Sequence, residues 1–181
     1  MKTLLLLLLS PLACVGQHRP VIYPKQARTG LIAYSQAVPA PQARQDTLYR
    51  RALRLLDAQG YVAKASNAAT GRISAYYRQE MKLLAGQIPP CSIGYTLTLR
   101  CREGEYRYEF VKFIYTYTTE EYSSGKMIAV HMVPAESLLP TPRAGIKMAP
   151  YAAAFKRRFD QLIPARISAL RDALALAAKG D

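Results

Sequence analysis

Gly94–Thr118 reads GYTLTLRCREGEYRYEFVKFIYTYT, and the pattern within it decides the fold. Tyr95, Leu97, Leu99 and Cys101 alternate with Thr96, Thr98, Arg100 and Arg102. A period of two is that of a strand with one apolar and one polar face. The return run, from Tyr106 through Phe110, Val111, Phe113 and Ile114 to Tyr117, is dense in aromatic and β-branched residues. Such side chains suit a pleated, half-buried surface. Glu103-Gly104 lies between the runs, and glycine accepts the positive φ that a short hairpin turn requires. The stretch predicts an antiparallel hairpin, wet on one face, with the other elements packed on its dry side.

Upstream of the hairpin, Arg72–Glu80 predicts a strand with Ile73, Ala75 and Tyr77 on one face and Ser74, Tyr76 and Arg78 on the other. After the hairpin, Ser123-Ser124-Gly125 signals a turn, and Lys126–Val133 closes the sheet. Leu31–Val38 is the first strand, stopped by Pro39-Ala40-Pro41. Leu48, Ala52, Leu55 and Leu56 recur at helical spacing, widened by Tyr49 and Leu53, with Asp46 or Thr47 as N-cap and Gly60 as the stop. Tyr61–Ala69 shows no regular period, and Pro134–Pro150 reads as loop. The end is helical, with a stripe of Tyr151, Phe155, Phe159, Leu162, Ile163, Ile167, Leu170 and Leu174. Pro164 is expected to kink or split that helix, because it removes an internal hydrogen bond. The predicted class is α+β, in the order β-α-β(4)-α.

The first residues have the form of an export signal. Lys2 is the positive end, Leu4–Leu9 the apolar run, and Ser10-Pro11 a break before small residues. The run is too short to span a bilayer, and no later stretch approaches the roughly 20 apolar residues a spanning helix needs. Cleavage after Gly16 would leave Gln17 as the first residue of a soluble product. Leu12-Ala13-Cys14 also resembles the end of a lipobox, which would make Cys14 a lipidation site, although Pro11 departs from that motif. The organisation expected is therefore a signal over 1–16, an extended lead-in over 17–30 and one domain over 31–178, in the periplasm or outside the cell, or anchored as a lipoprotein.

The 181 residues carry 25 Lys and Arg against 12 Asp and Glu, a formal charge of +13. The basic residues are spread along the chain, the densest run being Lys156-Arg157-Arg158. Spread charge in an exported chain argues against nucleic acid as the partner. A basic amphipathic C-terminal helix can also lie on a membrane surface.

Chemistry-bearing motifs are scarce. The chain has two histidines, and His131 falls within a strand. It contains no CxxC, no Cys/His spacing suited to zinc, no Gly-x-Ser-x-Gly elbow, no glycine-rich phosphate loop and no HExxH. An extended strand between Cys91 and Cys101 would hold their α-carbons ~25 Å apart, whereas a disulfide spans at most about 7 Å. Cys101 is expected as a buried thiol. The expectation is a protein that is not an enzyme and takes no metal or cofactor. Its candidate ligand face is the wet side of the sheet, where Arg72, Arg78, Thr96, Thr98, Arg100 and Arg107 can meet a carboxylate or phosphate through bidentate contacts.

Three segments, LIAYSQAVPAPQARQDTLYRRALRLL, TGRISAYYRQE and YTLTLRCREGEYRYEFVKFIY, carry a resemblance to a known family. The chain resembles the bacterial domain of unknown function 4468 family, with a TBP-like fold. The family's helix reads roughly Leu-Tyr-x-x-Ala-x-x-Trp, followed by a Gly-x-Ile strand and a hairpin with a Gly-x-Tyr-Arg turn exit. These fall here on Leu48, Tyr49, Ala52, Gly71, Ile73, Gly104, Tyr106 and Arg107, with Leu55 at the usual tryptophan. The resemblance spans about Leu31–Val133. It implies a curved antiparallel sheet with helices on one face, in a family typically found in exported proteins, and it brings no catalytic residues. The fold's namesake grips DNA with its sheet, but that is analogy at the level of fold. The function expected is an envelope binding or accessory module using the open sheet face. The alternatives are a membrane-surface protein held by Cys14 or the C-terminal helix, and a nucleic-acid binder if the leader is retained.

Overall fold

The computed structural model describes residues 23–81, 91–122, 126–139 and 150–179. The expected signal, Cys14 and the turn at Ser123-Ser124-Gly125 lie outside these residues.

The chain runs β1 (Tyr34–Pro39), α1 (Gln45–Ala58), β2 (Val62–Asn67), β3 (Arg72–Met81), β4 (Cys91–Arg102), β5 (Glu105–Tyr122), β6 (Lys126–Pro134), α2 (Ala135–Leu138) and α3 (Pro150–Lys179). The strands form one antiparallel sheet in the order β1-β5-β4-β3-β2, with β6 also paired to β5. The central hairpin is the predicted one, turning at Glu103-Gly104 with Gly104 at φ 76°. Both its strands are longer than their sequence pattern suggests.

Strand β5 has partners along both edges. Glu105–Phe110 pairs with β1 and Ile114–Tyr122 pairs with β6, both on the edge opposite β4. Between the two halves Lys112 adopts φ 55°, and the register against β4 shifts between Gly94 and Thr96. The single extra residue of this bulge resets the alternation. Phe110 and Phe113, three positions apart, therefore both face the core and are fully buried.

On the dry face Tyr95 is the hub. Its ring meets those of Tyr77, Phe110 and Phe113 at centroid distances of 5.5, 5.3 and 5.7 Å. Its hydroxyl lies 3.1 Å from that of Tyr61. Helix α1 lays Leu48, Tyr49, Ala52 and Leu56 on this face. Helix α3 adds Phe155, Phe159, Ile163, Leu170 and Leu174, all fully buried. Phe159 stands edge-on to Phe113, and Phe155 leans on Tyr115. Arg166 of α3 covers the Tyr77 ring at 4.2 Å, and Arg51 of α1 donates to the Ala177 carbonyl of α3. Both long helices thus share one face, as expected. Helix α3 is not split at Pro164, which sits exposed within it.

The structure adds to the predicted order in several places. Strand β2 lies in a segment without periodicity, and all six of its residues are exposed. Backbone pairing with β3, and not burial of side chains, makes it a strand. The turn into β3 needs Gly71, which has φ 62° and lies so close to the Cys101 carbonyl that a Cβ would collide with it. Helix α1 begins one residue before Asp46, with Arg44 as N-cap and no capping side chain. Asp46 sits instead in the first turn, where its charge faces the positive end of the helix dipole. A one-turn helix, α2, occupies the start of the expected loop.

Of the expected lead-in, Tyr23–Gly30 is bonded to the domain. The Tyr23 hydroxyl donates to Asp160 at 2.6 Å, and its ring packs edge-on against Phe159. Burial and the neighbouring carboxylate both raise the Tyr23 phenol above its ordinary range. Gln26 donates to Glu109 on the opposite side of the sheet. The segment therefore wraps the β1 edge, touching both faces.

Candidate binding face of the sheet

The regular pairing of β3, β4 and β5 dictates which side chains share the wet face. Arg72 is directly opposite Arg100, and Arg100 directly opposite Arg107. Three guanidinium groups thus stand in one row across three strands, each exposed. The next row holds Ser74, Thr98, Glu109 and Ser35, and the one after it Tyr76, Thr96 and Val111. Arg78 is one row further on and donates to Ser92 at 2.8 Å. All six residues singled out from the sequence lie on this face. They are not equivalent: Arg72, Arg100 and Arg107 form the row, whereas Arg78 is held by a serine.

The row is electrostatically uncompensated. Like charges directly opposite one another destabilise a sheet. Among the described residues none of the three arginines has a carboxylate within ion-pair distance, and the nearby Glu109 accepts from Gln26. The arrangement can accept anionic oxygens from solvent, since each guanidinium presents a planar fork of donors.

Sequence reasoning did not assign Tyr76 a role. Its ring tip lies directly against the α-carbon of Gly94, where any Cβ would strike it. Lys64 of β2 brings its ammonium within 5.6 Å of the same ring centre. The signal was present as a glycine inside an alternating strand, which marks a close approach to the backbone.

The remaining sequence candidates fall elsewhere. Cys101 is a free thiol in the core, and burial pushes it up to about 12, which keeps it protonated and unreactive. Cys91 is also buried, its Sγ lying 3.0 Å from the Met81 carbonyl. His131 stacks on Tyr117 with centroids 4.8 Å apart. Among the described residues no group of three His, Cys, Asp or Glu is placed to hold a metal, and no helix is long and apolar enough to cross a membrane. Phe155, Phe159, Ile163, Leu170 and Leu174 of the α3 stripe are buried in the core, while Leu176 is exposed.

An open antiparallel sheet backed on one face by an N-terminal and a C-terminal helix defines a TBP-like α+β protein. Residues 34–116 match the family described as "Domain of unknown function (DUF4468) with TBP-like fold", so the resemblance read from the sequence holds. Two crystal structures share the architecture. One is a DUF4468 family protein from Bacteroides ovatus ATCC 8483, with TM-score 0.61 and 16% identity over 84% of this chain and 90% of that one. The other is a TBP-like protein from Parabacteroides distasonis ATCC 8503, with TM-score 0.56 and 15% identity over 87% and 97%. At such identities the likeness is one of fold alone. No curated protein matches the chain.

Proposed function

We propose that the protein is an exported, non-catalytic binding module of the cell envelope that holds an anionic ligand on its open sheet face. The observation that carries this reading is the row Arg72, Arg100 and Arg107, exposed and in register without a counter-ion among the described residues. A row of like charges costs stability, so its place on the uncovered face fits a role in recognition. The leader-like start, Lys2 followed by Leu4–Leu9, supports export.

Binding is tested by titrating tripolyphosphate into the wild type and into the Arg100→Glu, Arg107→Glu double variant. The wild type should bind, and the reversal should remove binding while the far-ultraviolet spectrum stays the same. Equal affinity in both proteins would refute the face as the binding surface. The compartment is tested by cell fractionation with intact mass. A mass beginning at Gln17 in the soluble fraction is expected. One beginning at Cys14 with acyl chains would replace the soluble module by an anchored one, and an uncleaved cytoplasmic chain would overturn export.

A further inference from the structure

We propose that the ligand is an acidic polysaccharide, laid across the strands with its carboxylates on the arginine row and one sugar ring against Tyr76. The inference rests on the reading of the open face as a binding surface and names the class of ligand that the face fits.

The row sets the shape of the ligand. Neighbouring strands lie about 4.8 Å apart, so the three arginines are rooted along a line of roughly 10 Å perpendicular to the strands. A single carboxylate or phosphate is saturated by one or two guanidinium forks, which leaves the third without work. A chain bearing acidic groups at intervals satisfies all three. Such a chain must also tolerate what lies beside the row. Ser74 and Thr98 offer hydroxyls, and Glu109 offers a carboxylate between the arginines and the tyrosine. Sugar hydroxyls can donate to that carboxylate and accept from those side chains, whereas a run of phosphates has no donors to offer it.

Tyr76 supplies the second element. Two rows beyond the arginines, its ring is seated on the bare backbone of Gly94. An aromatic plate is the usual partner for the C–H face of a pyranose; Lys64, whose ammonium lies over this ring in the free protein, yields that place to the sugar and takes the carboxylate of a uronic acid. Single-stranded nucleic acid is held by successive stacking plates along a positive groove. Among the described side chains, the part of this face around the arginines has one ring and an acid in its midst, so the acidic glycan is the better match.

The test uses the whole protein and four probes: polygalacturonate oligosaccharides, neutral cello-oligosaccharides of similar length, tripolyphosphate and a single-stranded oligonucleotide, each titrated calorimetrically. Polygalacturonate should bind most tightly and the neutral chain not at all. Tyr76→Ala should weaken polygalacturonate about tenfold while leaving tripolyphosphate unchanged. Gly94→Ala keeps the tyrosine but lifts its ring from the backbone, and should give the same selective loss; thermal melting checks that both variants are folded. The Arg100→Glu, Arg107→Glu variant should lose both anions. If tripolyphosphate binds through the arginines but polygalacturonate is no tighter, or ignores Tyr76→Ala, the glycan assignment falls and the anion-binding face stands. If the oligonucleotide binds most tightly, the glycan gives way to nucleic acid. If no probe responds to the arginine reversal, the face itself is wrong.

Discussion

The two faces of β4 share a backbone and differ in everything else. Tyr95, Leu97, Leu99 and Cys101 are wholly inaccessible, while Thr96 and Thr98 are half-buried and Arg100 and Arg102 exposed. The dry face is held by rings that meet edge-on or tilted, and by a phenol pair between Tyr61 and Tyr95. The wet face holds like charges opposite one another and a tyrosine folded onto a glycine. One face lowers the energy of the fold, and the other spends part of that gain on a surface the fold does not require.

The largest effect is expected from truncation on the dry face. Truncating Tyr95→Ala removes its ring contacts and leaves a cavity, and should cost about 4 kcal/mol in urea denaturation. A cost no larger than that of an exposed residue would mean the dry face is not the seat of stability. Next comes Tyr106, fully buried, whose hydroxyl finds no partner among the described residues. Tyr106→Phe deletes an unsatisfied polar group without changing the packed shape, and should raise stability by roughly 1 kcal/mol. A loss instead would reveal a hidden partner for that hydroxyl. On the wet face, Arg100→Gln relieves repulsion from both neighbours and should stabilise by about 0.5 kcal/mol, more at low salt than at high. Destabilisation would show that the row is internally compensated.

The smallest effect at neutral pH is the ionisation of the core. Burial pushes Cys101 from 9.0 up to about 12, and Tyr106 and Tyr34 from 10.0 up to about 12. The unfolded chain releases these protons first, so the folded state binds more protons above pH 9. Stability should be flat with respect to these groups below that pH and fall as pH rises from about 9 towards 12. A melting temperature that holds constant across this window would contradict their burial.

The parts of the fold legible in the sequence are those where burial writes a pattern. The alternation in β3 and β4 and the stripe of α3 report which side faces the core, because an apolar side chain placed outward would be wasted. Strand β2 was not legible, because VAKASN buries nothing and its pairing is made by backbone atoms that every sequence has. Lys112 was not legible either, since lysine is an unexpected residue for φ 55°; the nearest signal was the three-residue spacing of Phe110 and Phe113 within a strand. The candidate face was legible as a set of residues on one side, but not as a row. Register is fixed by where the turn places the strands, and only pairing shows that Arg72, Arg100 and Arg107 stand abreast. Tyr76 was seen as polar-face residue, and its seat on Gly94 depends on a diagonal contact between neighbouring strands.

The bulge at Lys112 has a consequence for motion. Strands β1 and β6 occupy the same edge of β5 but meet it on opposite sides of that residue, and neither extends the other's ladder. Each can open without unzipping the other, so amide exchange should divide β5 into two cooperative units with separate opening free energies. Arg107 belongs to the β1 unit, paired with Ala37. A ligand on the arginine row would slow exchange before Lys112 and leave the β6 arm exchanging as it does in the free protein.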